Sequence, residues 1–385
     1  MDHTAVTVLE VGAILLMAAG AGWLARRASL PAIVGYLAVG IAISPFTPGY
    51  VADRSQVSLF AEVGAILLLF EVGIEVDLRE LRREHPAVLW AAPLQMGITF
   101  AAALIAFVAF GLALEAAALL GVAIAMSSSV VVVNITRSRR RTTDRGTEHL
   151  LIGWSVLQDV VGVAAAIILL SAVGAGQPIE ITILGLVVFA LLSLVGAYLL
   201  PRVLAKLRTE PDLFLAVAIA TGLAVAGAGA VLAGIPLALA AFVAGLTISE
   251  GPVASEARKR LLPFRDLFAI FFFVAIGTLI DPTALFARGL GWLALCLGLV
   301  VFGKILVIAV LARASRLPAN AAQLGVGLGQ IGEFGFVLAT VAVARGVLPA
   351  EVYAALLAAV AVSIAGSSIV VRLVRRSPVP APAPA

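Results

Sequence analysis

The chain alternates between long hydrophobic runs and short polar segments, and this pattern predicts helices that cross a membrane. A helix needs ~20 apolar residues to span a hydrocarbon core about 30 Å thick. Thirteen runs of suitable length lie at residues 4–25, 31–47, 57–75, 86–111, 115–135, 148–173, 179–200, 212–230, 233–249, 264–281, 288–313, 320–344 and 350–372. Because the segments between them are too short for a separate soluble domain, we expect an all-α polytopic membrane protein with thirteen transmembrane helices.

Positive charge falls in alternate loops, which predicts how the helices are oriented. Cytoplasmic loops of membrane proteins are enriched in Lys and Arg. Arg54, Arg288 and Arg345 lie in one set of loops and Lys304 lies within a run, whereas the other lysines and arginines lie in the alternate loops or near the C-terminal end. We therefore expect a multi-pass protein of the cell (plasma) membrane, with the N-terminus outside and the C-terminus in the cytoplasm.

Composition excludes several classes of protein and of site. Apolar residues make up 62% of the 385 positions and charged residues 12%, against about 45–50% and 25% in soluble domains. The single cysteine, Cys296, excludes a disulfide framework. His3, His85 and His149 lie in predicted terminal or loop positions, which argues against a histidine metal centre or a haem site. The Lys and Arg residues of the predicted cytoplasmic loops account for the positive net charge, so this charge does not indicate a nucleic-acid partner. We expect no cofactor and no nucleic-acid partner.

Two neighbouring helices near the N-terminus resemble two helices in the second half of the chain. Residues 31–44 match residues 236–249 at a shift of 205 positions, and residues 69–77 match residues 273–281 at a shift of 204. Chance recurrence of Gly and Pro is the alternative, but two adjacent helices share nearly one shift. Because the partners stand seven positions apart in the order of the helices, which is an odd number, the copies must run in opposite directions. We predict inverted-topology repeats of helices 1–6 and 8–13, an arrangement in which transporters bind ions near the midplane between discontinuous helices.

Few ionisable side chains fall near the centre of a predicted helix. A charge at the bilayer centre costs ~2.5–3.5 kcal/mol on insertion scales, so each one is a candidate for function. Asp159 lies at mid-depth in helix 6, and Lys304 and Glu333 lie at comparable depth in helices 11 and 12. Asp159 is the main candidate for an ion or proton site, with a structural salt bridge to Lys304 as the alternative. Lys304 could equally anchor a helix or neutralise the aspartate. Roles for three further acidic residues stay open: Glu10, Glu62 and Glu71.

Helix 5 carries three adjacent serines that favour a local break. These side chains occupy different helix faces, and serine hydroxyls compete with the helix for backbone partners. Unwound carbonyls and hydroxyls beside Asp159 would supply the oxygen ligands that a hard monovalent cation prefers, whereas close helix packing of small residues is the alternative. The candidate cation ligands are therefore Asp159, Ser127, Ser128 and Ser129.

Helix 12 carries a glycine-rich run that favours a second break. Glycines recur through residues 325–335, and the repeat shift of 204 places Glu333 opposite Ser129. We therefore predict that helices 5 and 12 are discontinuous and cross each other. Side chains such as Lys304 and Glu333 would compensate the dipoles of the helix ends at the two breaks.

Taken in their order along the sequence, the motifs described above resemble those of the Kef-type branch of the monovalent cation:proton antiporter superfamily, across nearly the whole chain. The resemblance implies an NhaA-like fold in which a panel domain mediates dimerisation and a mobile core carries the site. It also implies that Asp159 alternately binds a proton and Na⁺ or K⁺, with Gln158, Lys304 and Glu333 in supporting or charge-compensating roles. The matching segments are residues 30–37 with Gly40, 68–75, 127–129, 158–159, 271–277, Lys304 and 332–336.

The resemblance also implies a division of the chain. Residues 1–376 would form one transmembrane exchanger domain, followed by a disordered Pro/Ala tail at residues 377–385. Kef-type proteins usually carry a cytoplasmic nucleotide-binding domain, which this sequence lacks, so a separate regulatory subunit is a candidate partner beside a second copy in a homodimer. The panel helices would lie within 4–75 and 212–281, the core within 86–173 and 288–372, and the linker helix at 179–200.

The expected activity is the antiport of one Na⁺ or K⁺ against one H⁺, which would serve pH homeostasis. We expect electroneutral 1:1 exchange because Gln158 stands where electrogenic relatives carry a second aspartate. A channel-like or ligand-gated potassium efflux pathway on the same scaffold is the alternative. An enzyme is disfavoured, because we expect no histidine within the membrane to activate a serine nucleophile.

Overall fold

The protein is helical throughout the part of the chain that the structure describes. A computed structural model describes residues 3–28, 30–47, 54–75, 86–136, 143–172, 179–233, 237–248, 252–332 and 334–374, and these contain no β-strand. The all-α class predicted from the sequence is therefore confirmed. Continuous helices suit these apolar runs because every backbone N–H and C=O group must find a partner when no water is present.

The helix bounds follow the predicted hydrophobic runs closely, with two runs interrupted. The first half of the chain forms α1 (His3–Arg27), α2 (Ala32–Ala42), α3 (Arg54–Glu75), α4 (Val88–Ala109), α5 (Leu114–Ala125), α6 (Ser129–Thr136) and α7 (Arg145–Ala172). The second half forms α8 (Ile179–Lys206), α9 (Pro211–Ala233), α10 (Leu237–Leu246), α11 (Pro252–Thr278), α12 (Pro282–Ala314), α13 (Ala321–Gly327), α14 (Phe334–Ala344) and α15 (Ala350–Leu373).

Length and composition make several of these helices membrane spans. Among the described residues, eight helices are long and apolar enough to cross a membrane, and α2, α5 and α14 are shorter apolar helices. The protein is therefore a multi-span membrane protein.

Two helices end in the same way: Gly111 after α4 and Gly346 after α14 have positive φ angles of 92° and 71°. Left-handed glycines of this kind satisfy the last carbonyls of a helix.

The largest difference from the predicted bounds is the start of α11. This helix begins at Pro252, not near residue 264, so that Arg258 and Arg260 lie on a helix and not in a loop. Each of these charges has a carboxylate partner: Arg258 pairs with Glu71 of α3, and Arg260 pairs with Glu256 one turn earlier. His149 likewise lies in the first turns of α7 and not in a loop. A charged helical extension beyond the hydrophobic run escapes a prediction based on hydrophobicity.

Two glycine crossings hold four helices together at backbone contact. A Cβ atom on Gly40 of α2 would lie 2.1 Å from the Val274 oxygen and 2.6 Å from the Gly277 Cα in α11. A Cβ atom on Gly73 of α3 would lie 2.2 Å from the Phe242 oxygen and 2.9 Å from the Gly245 Cα in α10. The shifts of 205 and 204 relate Gly40 to Gly245 and Gly73 to Gly277, so each crossing joins one helix of each matching pair.

Substitution of Gly73 by alanine is expected to destabilise the protein. The added methyl group would overlap the α10 backbone, and overpacking of this kind typically costs about 1–3 kcal/mol. Gly97→Ala on α4 is the matched control, because its Cβ would meet nothing within 4 Å. Thermal unfolding in detergent should show a lower midpoint for Gly73→Ala and an unchanged or higher midpoint for Gly97→Ala. Equal midpoints would contradict the close approach of α3 and α10.

Candidate functional site

The hydrophobic run that contains the three serines is broken at its centre. Helix α5 ends at Ala125, Met126 is extended with φ −86° and ψ 144°, and α6 begins at Ser129. Ser127, Ser128 and Ser129 are all buried, with at most 2% of each residue exposed. Backbone groups at the break therefore lie inside the protein without the hydrogen bonds of a continuous helix.

A second break lies against the first. Helix α13 ends at Gly327 and α14 begins at Phe334. Across the gap the Gly332 N–H donates to the Met126 carbonyl at 3.1 Å, and the Ser127 hydroxyl donates to the Leu328 carbonyl at 2.6 Å. A Cβ atom on Gly332 would lie 2.6 Å from the Ser127 oxygen, so only glycine permits this approach. Glu333 lies outside the described residues.

Lys304 joins the two breaks through its ammonium group. It lies on α12 in a π-helical turn, Leu299–Ile305, and is fully buried. Its Nζ donates to the carbonyls of Ile124, Met126 and Gln330 at 3.0, 2.6 and 2.8 Å. A lysine ammonium carries three N–H donors, so these bonds use all of them. The positive charge also lies at the C-terminal end of α5, where the helix dipole is negative.

Asp159 lies on α7 and faces the first break. It is 1% exposed, and the Ser129 hydroxyl donates a hydrogen bond to its Oδ2. Because Ser129 is the first residue of α6, the carboxylate lies beside the positive N-terminal end of a helix. The structure thus brings a buried carboxylate, a hydroxyl and unwound backbone together at one point.

The three serines play different parts at this point. The Ser129 hydroxyl bonds Asp159, whereas the Ser127 hydroxyl bonds the Leu328 carbonyl and the Ser128 Oγ accepts from the Val131 N–H at 3.3 Å. Ser127 and Ser128 therefore hold the backbone of the breaks, and Ser129 is the serine that contacts the candidate carboxylate.

The structure adds polar residues that the sequence analysis did not single out. Gln95 and Thr99 of α4 are fully buried, and Gln95 Oε1 accepts from Gln158 Nε2 at 2.6 Å. Gln330 Nε2 donates to the Ser128 carbonyl at 3.2 Å, and Ser363 Oγ of α15 accepts from the Ile331 N–H at 3.2 Å. Polar residues spaced four apart within an apolar run, as Gln95 and Thr99 are, were the signal that could have revealed the first pair.

The two sides of the site correspond under the repeat shift. A shift of 204 relates Met126 to Gln330, whose carbonyls both accept from Lys304, and relates Asp159 to Ser363. Asp159 contacts the first break and Ser363 contacts the second. The ammonium thus bridges equivalent carbonyls of the two matching segments.

The acidic residues with open roles lie on α1 and α3, which are not the helices that form the two breaks. Glu71 of α3 is buried and accepts from Arg258 Nε at 2.5 Å and Arg265 Nη1 at 2.8 Å. Glu62 is exposed and Glu10 is half-buried. Among the described residues, no group of three or more His, Cys, Asp or Glu side chains could hold a metal ion. For the described residues, the chemistry available at the breaks is that of oxygen ligands around the Asp159 carboxylate.

Comparison with known proteins gives a consistent result over most of the chain. The model of the transmembrane sodium/hydrogen exchanger family matches residues 13–375. The putative cation/proton antiporter YbaL of Escherichia coli (strain K12) is 31% identical over 364 residues. The glutathione-regulated potassium-efflux system protein KefC of Salmonella typhimurium (strain LT2) is 30% identical over 370 residues.

Coverage of these relatives is unequal. The matched segments make up 91% and 92% of this chain but 65% of YbaL and 58% of KefC. Among solved structures, the sodium proton antiporter MjNhaP1 of Methanocaldococcus jannaschii superposes with a TM-score of 0.71 over 96% of both chains at 17% identity. That identity supports a shared fold and no more. On the match to the family model, the chain belongs to the transmembrane sodium/hydrogen exchanger family.

Proposed function

We propose that the protein exchanges a monovalent cation, Na⁺ or K⁺, for H⁺ across the cell membrane by alternating access. The observation that carries this proposal is Asp159, a buried carboxylate bonded to Ser129 where two broken helices meet. The names of YbaL and KefC, a putative cation/proton antiporter and a potassium-efflux protein, agree with it. Such exchange would couple cytoplasmic pH to a cation gradient.

Competition at one carboxylate would couple the two fluxes. A protonated Asp159 and an ionised Asp159 with a bound monovalent cation give the site the same net charge, whereas an empty ionised carboxylate gives it one negative charge more. Moving such a charge through a low-dielectric barrier is costly. The core would therefore change its orientation only with H⁺ or the cation bound, and the return step would carry the other ion.

The proposed architecture follows the family pattern. We place thirteen spans in the membrane, with helices 1–6 and 8–13 as inverted repeats, helix 7 as the linker, and α5–α6 and α13–α14 as the crossing discontinuous helices. The paired glycine crossings and the equivalent carbonyls around Lys304 support this arrangement. In this architecture residues 4–75 and 212–281 contain the panel helices of a homodimer, and residues 86–173 and 288–372 contain the core. The N-terminus lies outside the cell, and a separate cytoplasmic subunit is a candidate regulator.

The decisive experiment measures H⁺ movement in proteoliposomes. A pH gradient is imposed, and its dissipation is followed after the addition of Na⁺, K⁺ or Li⁺ in turn, with choline as the control cation. An antiporter dissipates the gradient with its own cation and not with choline. Cation flux without H⁺ movement would instead favour a channel-like or ligand-gated potassium pathway.

Exchange is expected to be electroneutral. The neighbour of Asp159 is Gln158, whose amide binds no second proton at working pH, so one H⁺ would exchange for one cation. Proteoliposomes adsorbed on a solid-supported membrane should therefore give no transient current when the cation is added, although the pH signal is present. A clear current of either sign would overturn the 1:1 stoichiometry and leave the antiport proposal standing.

A further inference from the structure

A buried hydrogen-bonded chain connects α4 to the residue that precedes Asp159. Gln95 and Thr99 lie one helical turn apart on α4 and bond each other, and Gln95 also bonds Trp154 and Gln158 of α7. All four residues are fully buried. Each group in this series of hydrogen bonds can be assigned as donor or acceptor, because the roles of the groups at its two ends are chemically unambiguous.

The first end is Thr99. Its hydroxyl lies 2.6 Å from the carbonyl oxygen of Gly303, to which it must donate its single hydrogen. Towards Gln95 the hydroxyl therefore acts as an acceptor. Gln95 must present its amide nitrogen there, and Nε2 lies 2.9 Å from Thr99 Oγ1 and 3.4 Å from the Ala125 carbonyl oxygen.

The second end is Trp154. An indole N–H only donates, and Trp154 Nε1 lies 3.3 Å from Gln95 Oε1. Both ends thus require the same orientation of the Gln95 amide, with its oxygen towards α7. Because that oxygen is an acceptor, Gln158 must present its own nitrogen to it, and Nε2 lies 2.6 Å away.

With these donors and acceptors assigned, the amide oxygen of Gln158 is left without a hydrogen bond in this series. Gln158 is fully buried, and its Oε1 has no hydrogen-bond partner among the residues that the structure describes. Buried polar atoms are nearly always bonded, so this amide oxygen, on the residue that precedes Asp159, is available to accept a further partner. A flip of the Gln158 amide would bring two oxygens face to face at Gln95, which opposes the alternative orientation.

We propose that Gln95 is a positioning residue that holds the Gln158 amide with its oxygen available as a ligand for the transported cation beside Asp159. This inference rests on the proposed antiport function and deepens it. Gln95 touches no ion itself and acts through Gln158. Thr99 and Trp154 act one step further away, by fixing the orientation of Gln95.

The test is a double-mutant cycle in transport. Gln95→Leu keeps a side chain of similar size and frees the Gln158 amide, so the KM for the cation should rise about tenfold with a smaller change in maximal rate. Gln158→Leu should raise the KM at least as much, and the double variant should raise it no further, because Gln95 works through Gln158. Additive effects, or an unchanged KM in Gln95→Leu, would overturn the assignment.

A second buried glutamine provides the matched control. Gln323 of α13 donates to the Val374 carbonyl at 3.1 Å and lies outside this chain of bonds. Gln323→Leu should lower the unfolding temperature without raising the KM for the cation. An equal rise of KM in both Leu variants would show that the loss of any buried amide has this effect, and would count against a specific role for Gln95.

Cation binding measured without transport separates this inference from the proposed function. A ligand that binds the folded state raises the unfolding temperature as its concentration exceeds its Kd. The wild-type protein in detergent should be stabilised by its cation, and Gln95→Leu should need about tenfold more cation for the same shift. Stabilisation of both proteins at equal concentrations would refute the positioning role alone. If the wild type showed neither transport nor stabilisation by a cation, the proposed function and the inference would both be refuted.

Discussion

Asp159→Asn is expected to abolish cation/proton exchange. Asparagine keeps the size of the side chain and an oxygen that can accept from Ser129, but it binds no proton and carries no charge for the cation. Dissipation of an imposed pH gradient in proteoliposomes should therefore fall to the rate of protein-free vesicles with Na⁺, K⁺ and Li⁺ alike. Exchange that persists in this variant would remove Asp159 from the mechanism.

Stability measurements show whether such a loss reflects chemistry or misfolding. Removal of a buried charge relieves a desolvation cost, so Asp159→Asn should unfold at the same or a higher temperature than the wild type.

Asp281→Asn is the matched control, because Asp281 caps α12 at the predicted outer surface and asparagine is an equally good cap. Hydrogen bonds from the Thr283 hydroxyl and from the Thr283 and Ala284 N–H groups hold the pKa of Asp281 below its usual value. It therefore stays ionised at working pH, and its replacement should leave exchange intact.

Lys304→Met is expected to cause the largest loss of stability. The substitution leaves three buried carbonyl oxygens, those of Ile124, Met126 and Gln330, without the ammonium that they share. A buried acceptor that loses its partner costs about 1–3 kcal/mol, so the free energy of unfolding should fall by roughly 3 kcal/mol or more. Thermal unfolding in detergent measures the loss. Lys259→Met is the control, because Lys259 is exposed on α11 and its replacement should change stability by less than about 0.5 kcal/mol.

Lys304→Arg distinguishes geometry from charge. Arginine keeps the positive charge, but its planar guanidinium is larger and cannot place three hydrogens as a compact ammonium does. We expect Lys304→Arg to be destabilised nearly as strongly as Lys304→Met. If Lys304→Arg were as stable as the wild type, the charge alone would support the helix breaks, and the three carbonyl bonds would be incidental.

The structure also bears on the alternatives that the sequence left open for Lys304 and Asp159. The ammonium of Lys304 is engaged by backbone at both breaks, which describes an anchor for helices. Asp159 bonds the hydroxyl of Ser129 and stands at the N-terminal end of α6. The two residues thus lie at the two helix ends that meet at the first break, a cation at the carbonyl end of α5 and an anion at the N–H end of α6.

Much of the fold could be predicted because a membrane enforces simple rules. Hydrophobic length predicted the helices, and the serine and glycine runs predicted where α5 and α13 would end. The start of α11 could not be predicted, because the residues around Arg258 are too polar to count as a span and the acidic partner of Arg258 lies on α3, far away in sequence. Glu71 was left without a role for the same reason, since its two arginine partners are almost two hundred residues away in sequence.

The sequence by itself determined the membrane class, the helical fold, the antiporter family and the short set of polar residues that can lie inside the membrane. The membrane class, the helical fold and the polar set follow from hydrophobic length and from the cost of each buried charge, which are local in the chain, whereas the family was indicated by the resemblance of the motifs. Only the tertiary structure decided which of those polar groups bond one another: that Ser129 and not Ser127 contacts Asp159, that Lys304 bonds carbonyls from both halves, and that Gln95 sets the amide of Gln158. Hydrogen bonds depend on distance and direction between groups far apart in sequence, and those are defined only when the helices pack.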